Sequence, residues 1–371
     1  MAEDGLAVSM WQPSAAWRLF FTVVMYLYLG MIFAFIVALL GFGLLHRFHP
    51  LLLLIGAFVV SIVVHEIGHY VAARQLGMQV LRVRLWWLEI EPLQRGWRCR
   101  IKRYAHKTPT GSVMALPAVD RPWRRAFIVF ALGGVAANVL LLSILGAALA
   151  FVRSDEAAIA LCVALCVCAV PLVNLLPVKA VVDTDGIIAW RWWRHPPAES
   201  DLLGMRALSR LISGTLLSAL PQDEAAAFAR LSEVHAVYCA VVLHQERGEW
   251  REAAALGHAL DAAVPKDAAL RSAYAELILY VRAEIAFSRA AADRDASLLP
   301  DSKMLRQVRW AHECLPVRCG AFRAWLEGDA RKTEAMVRET LRRAALSIER
   351  ASPQRERLLL ETLFGRNVST L

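Results

Sequence analysis

Residues 63–74 read VVHEIGHYVAAR, with two histidines and a glutamate set into an otherwise apolar segment. On a helix, His65 and His69 project from one face about a turn apart, and Glu66 falls within the same arc. Two imidazole nitrogens at that spacing suit one tetrahedral zinc ion. A carboxylate beside them can take a proton from water whose pKa a metal lowers. The plainer reading is a histidine pair hydrogen-bonded to neighbouring helices, with Glu66 bracing them. Three ionisable groups in one membrane-length run need a partner to offset their desolvation, and a metal supplies it.

The surroundings of this stretch are those of a membrane. The chain has 371 residues, 57% of them hydrophobic, and a mean hydropathy of +0.43. The excess is concentrated in four runs, near residues 17–45, 51–73, 127–151 and 157–177. Each is near or above the roughly 20 residues that cross a bilayer. The first is about twice the apolar length of a cleavable signal peptide and is expected to stay as a span. The fold class expected is therefore mainly α: a polytopic membrane protein of about four transmembrane helices.

Charge orients the spans. Residues 82–125 hold eleven Lys/Arg against three Asp/Glu, while the connections near Arg47 and Arg153 hold one basic residue each. The positive-inside rule places the basic loop, both termini and the tail in the cytoplasm, with a bacterial inner membrane as the expected location. The net charge of +9 divides into +7 for residues 1–200 and +2 for the remainder. An excess beside the membrane is explained by anionic lipid, so no nucleic-acid partner is expected. Seven cysteines without framework spacing fit a reducing compartment.

Two histidines leave zinc short of protein ligands. The candidate source is NLLPVKAVVDTDG, residues 174–186, where Asp183 and Asp185 lie just past the fourth run. Taken alone, Asp-Gly is ordinary turn chemistry. In combination these motifs resemble the site-2 protease family of intramembrane metalloproteases. The resemblance rests on His65, Glu66 and His69, on Asn174, Pro177, Asp185 and Gly186, and on GGVAAN at residues 133–138. It covers residues 15–195 and implies a zinc endopeptidase that cuts a membrane protein in or beside a transmembrane segment. It also implies His65, His69 and Asp185 as metal ligands and Glu66 as the catalytic base. Asn174, Asn138 and Gly111 are the candidate substrate contacts. The chain departs from the family in the long Pro177-to-Asp185 spacing, which leaves Asp183 as the alternative ligand, and in Val135 where proline is usual.

The remaining sequence carries two further expectations. LRVRL, LEIE and WRCRIKR alternate apolar and polar residues, as a cytoplasmic β-hairpin at the membrane edge would. TGSVMALP, residues 110–117, is either another sheet edge or a re-entrant piece. A sheet edge could hold an extended substrate by strand addition. A domain boundary is expected at 197/198, separating the protease domain, 1–197, from a helical domain, 198–371. In the latter, RGEWREAAALGHALDAAVPKD and EGDARKTEAMVRETLRRAAL resemble tetratricopeptide hairpins, which implies a solenoid that binds a protein partner. The rival to proteolysis is a catalytically silent membrane scaffold that recruits partners through this tail.

Overall fold

The computed structural model describes residues 14–41, 50–102, 110–178, 183–309 and 312–365. The fold is mainly helical, and the chain divides into two compact units. One holds Met10–Pro92 with Trp97–Pro197, and the other is chiefly Ala198–Leu371.

In the first unit, Ala15–Leu39, Leu51–Gln75, Trp123–Leu149 and Asp155–Leu175 are long and apolar enough to cross a membrane. They lie on helices α1 (Ala15–Gly41), α2 (Pro50–Gln75), α3 (Trp123–Leu149) and α4 (Asp155–Ala169). The fourth span finishes as a 3-10 turn, Val170–Leu175, opened by Pro171. Proline has no N–H for the α-helical ladder, so the tighter turn takes over there. Large side chains such as Phe33 and Leu140 stay exposed, as lipid-facing groups must. Between the helices the glue is polar and small: Tyr28 Oη donates to Ala169 O at 2.8 Å, and Ser61 Oγ to Cys168 O at 3.3 Å.

Between α2 and α3 the chain forms four strands: β1 (Gln79–Leu85), β2 (Leu88–Pro92), β3 (Trp97–Ile101) and β4 (Gly111–Leu116). They pair antiparallel in the order β3-β2-β1-β4. The stretches expected as a hairpin are thus β1 to β3 of a larger sheet, and TGSVMALP supplies its other edge strand. One sheet face is ionic. Glu89, fully buried, meets Arg100 and also Arg82 at 3.3 Å, and Glu91 meets Arg98 at 2.8 Å. Alternation along each strand puts these charges on one side and leaves Trp97 and Ile101 exposed on the other. A short helix, α5 (Asp185–Arg194), closes the unit.

The second unit contains eleven α-helices among the described residues. Gly248 and Gly328, the glycines of the two repeat-like stretches, both adopt left-handed backbone just past helix ends. Left-handed glycine after a helix is a general stop signal, so it specifies a helical hairpin rather than a particular repeat. The core joins Val234, Val241, Leu260 and Ile278 in one cluster, and Phe287, Leu315 and Phe322 in another. Between the helices runs a buried charge network. Arg318, fully buried, donates to Glu356 at 2.9 Å and to Glu284 at 2.5 Å. Gln245 donates to Glu284 at 3.0 Å, and Arg355 lies 3.6 Å from it. Burial pushes the Glu284 carboxyl upward, but Arg318 and Arg355 outweigh it and hold the group below the usual range.

Removing one member of such a network strands the others without compensation, at a cost of about 3–5 kcal/mol. Glu284→Ala is therefore expected to lower the melting temperature of the helical unit sharply. Glu339→Ala, whose partners Arg342 and Arg343 sit at the surface, should leave it unchanged. Protease sensitivity of the full chain against temperature checks both, and equal melting would show the network to be energetically idle.

Candidate metal centre

Helix α2 buries His65, Glu66 and His69, each 5–6% exposed. The Nε2 atoms of His65 and His69 lie 3.2 Å apart. Asp185 approaches both, with Oδ2 at 3.0 Å from His65 Nε2 and Oδ1 at 3.3 Å from His69 Nε2. One donor atom from each residue falls within 4.8 Å of the others.

The outward nitrogens decide which lone pairs face this point. His69 Nδ1 is 2.8 Å from Phe130 O, a pure acceptor, so Nδ1 carries the proton and Nε2 keeps its lone pair. His65 Nδ1 lies 3.5 Å from the amide of Asn138, which is fully buried and whose Oδ1 has no partner. Rotating that amide presents Oδ1 to His65 Nδ1 as the acceptor and frees the second Nε2 in the same way. Holding the far ring nitrogen is how proteins orient metal-ligating histidines.

Small residues make room for the cluster. A Cβ on Gly134 would lie 2.5 Å from His69 Nε2 and 2.8 Å from His65 Nε2. A Cβ on Gly133 would lie 2.7 Å from the Ala72 Cβ and 2.8 Å from Gly68 O, so α2 and α3 meet with their backbones in contact. Gly111, the first residue of β4, faces Glu66, and a Cβ there would collide with Oε1. Glu66 Oε2 is buried with no protein partner.

Asp185 is delivered by α5. Thr184 caps that helix, accepting from Ile187 N while its hydroxyl reaches Leu176 O at 2.6 Å. Trp192 stacks on Phe127 of α3 at 4.5 Å, and Arg124 donates to Trp192 O and Trp193 O at 3.1 and 2.6 Å. Asp183 is engaged elsewhere, 2.7 Å from the buried Arg191. Asn174, on the 3-10 turn, brings Nδ2 to 3.4 Å from His65 Nε2.

In tetrahedral zinc coordination with bonds of about 2.0–2.1 Å, neighbouring donor atoms stand about 3.3 Å apart. The separations of 3.0–3.3 Å here fit that ion, with two imidazoles and one carboxylate as the donors. Residues 53–159 match Peptidase family M50. M50 is a zinc metalloprotease family, so the membrane half carries a zinc metallopeptidase domain and acts on protein. The M50 match includes the His65–His69 motif and GGVAAN, and it ends before Asn174 and Asp185. The helical tail is not identified as tetratricopeptide repeats. No curated protein and no solved structure matches the chain.

Gly111 was expected from the sequence as a substrate contact, whereas its approach to Glu66 depends on sheet register and left no signal. Phe130, which enters through its backbone carbonyl, left no signal at all. Gly134→Ala is expected to displace the imidazoles and reduce zinc retention about 10–100-fold, the range typical of lost ligand support. Gly146→Ala, on the same helix with open space around it, should retain zinc normally. Metal analysis of the two purified variants makes the comparison, and equal zinc would refute the proposed crowding.

Proposed function

We propose that this chain is an intramembrane endopeptidase that cuts a membrane protein within or beside a transmembrane segment, in regulatory proteolysis. His65, His69 and Asp185 would hold zinc, which when bound polarises the scissile carbonyl and acidifies water. Glu66 is the general base, and it later returns the proton to the leaving amine. The observation that carries this reading is the unpaired, buried Oε2 of Glu66 beside the start of an edge strand. A scaffold has no use for a desolvated, unpaired carboxylate next to a metal-binding histidine.

The edge explains how a substrate reaches the base. Among the described residues β4 pairs with β1 alone, so its other side can accept an extended strand. A substrate segment unwound from its helix and laid along β4 would pass Gly111 and reach Glu66. Asn174 then contacts the substrate backbone, and Asn138 orients His65 from behind. The basic loop puts this machinery on the cytoplasmic side, with both termini, and water enters from there. The helical tail selects or positions the protein substrate, or receives a partner.

Glu66→Gln is expected to keep zinc and to lose proteolysis by orders of magnitude, because the proton acceptor is gone while all three ligands remain. Cleavage of a membrane-embedded model substrate, measured beside zinc content, tests it; normal cleavage by the variant would remove Glu66 as the base, and no cleavage by the zinc-loaded wild type would favour the silent scaffold. Asp185→Asn should reduce zinc retention more than Asp183→Asn, since a neutral amide is a poor substitute for a carboxylate ligand. The opposite ranking would move the third ligand to Asp183.

A further inference from the structure

The helical unit contains a half-open cavity of about 180 Å³ that the proteolytic site does not use. A cavity of about 150 Å³ is enough to hold benzene, so this one accommodates a ring with a short substituent. Leucines from Leu208 to Leu217 line one side. The other side is a run of rings: Phe228 lies 5.4 Å from His235 and 6.5 Å from Tyr238, and Tyr238 is 6.2 Å from Tyr280. All four of these rings line the cavity.

Its charges do not balance. Among its described lining residues the fixed charges are Glu246 and Glu349 against Arg355, with the imidazoles of His235 and His312 beside them. Arg355 is already committed, 3.6 Å from Glu284 and 2.5 Å from the Tyr280 hydroxyl, although its Nε has no partner. Burial keeps the His235 imidazole below its ordinary pKa, so that ring is neutral near pH 7. Glu246 is 7% exposed; one oxygen accepts from Ser218 N at 3.2 Å, and Oε1 is buried with no partner. A buried carboxylate oxygen left unpaired costs on the order of 1–3 kcal/mol, which a hydrogen-bonding ligand recovers. Aromatic faces favour a cation in the same space.

We infer that this cavity is a binding site for a small organic ammonium compound, a protonated amine on an apolar body, with Glu246 taking the ammonium group. The amine would donate to Oε1, lie against the aromatic run, and bury its apolar part among the leucines. Neither the metal centre nor any residue of the membrane unit takes part.

Three probes of one shape separate charge from fit: phenethylamine, 2-phenylethanol and 3-phenylpropanoate. Each is titrated by ligand-observed NMR onto the purified full-length protein and onto Glu246→Gln, in the same detergent, so that uptake by micelles cancels between proteins. The wild type is expected to bind the amine at least tenfold more tightly than the alcohol or the acid. Glu246→Gln, which still offers an acceptor to Ser218 N, should lose at least tenfold for the amine and little for the alcohol. Should that variant not fold, the ranking of the probes on the wild type decides alone. Preference for the acid would assign the site to Arg355 instead. That result, equal binding of all three, no binding at millimolar concentration, or undiminished amine binding by folded Glu246→Gln would overturn the inference.

Discussion

Helices α2 and α3 touch backbone to backbone at Gly68 and Gly133, and the metal centre depends on that contact. Lipid gives no hydrophobic drive to helix pairing, so close approach must come from small residues and the dispersion they permit. The same close packing sets Gly134 against both imidazoles and brings the Phe130 carbonyl and Asn138 to their outward nitrogens. The partners of the outward ring nitrogens of His65 and His69, and the glycine that makes room for both rings, therefore come from one neighbouring helix. A larger side chain at the crossing would disturb the ligands and their orienting partners together.

Much of this was legible in the sequence because two strong periodicities were present. Long apolar runs mark spans by length alone, and His65 and His69 share a face by helical spacing. The sheet was half legible. Alternation revealed β1 to β3, whereas GSVMAL lacks charges on either face and reads equally as a strand or a re-entrant piece. The choice between Asp183 and Asp185 could not be made from spacing. In the structure Asp185 lies beside both imidazoles, whereas Asp183 pairs with Arg191. In the tail, glycine turns reported helix ends correctly but carried no information on how successive hairpins stack.

The two units solve the burial of charge differently. In the membrane unit the ionisable groups gather around a site suited to a cation, and the sheet neutralises its own face through Arg82, Arg98 and Arg100. In the helical unit, Arg318 and Arg355 are matched against Glu284 and Glu356 across helices far apart in sequence. Such a network adds little net stability over an apolar core, but losing one partner leaves a buried charge uncompensated. Glu246 stands apart from it as a buried acid whose second oxygen is unanswered.

The arrival of Asp185 on α5 has a consequence for biosynthesis. His65 and His69 are made early, with the second span, while the carboxylate that meets them follows the fourth. Ribosomal order thus leaves the nascent enzyme with an incomplete donor set while its membrane helices are still being inserted. Phe127 and Arg124 must then be in place before α5 can dock. The three donor groups therefore meet only once the last short helix of the unit has docked.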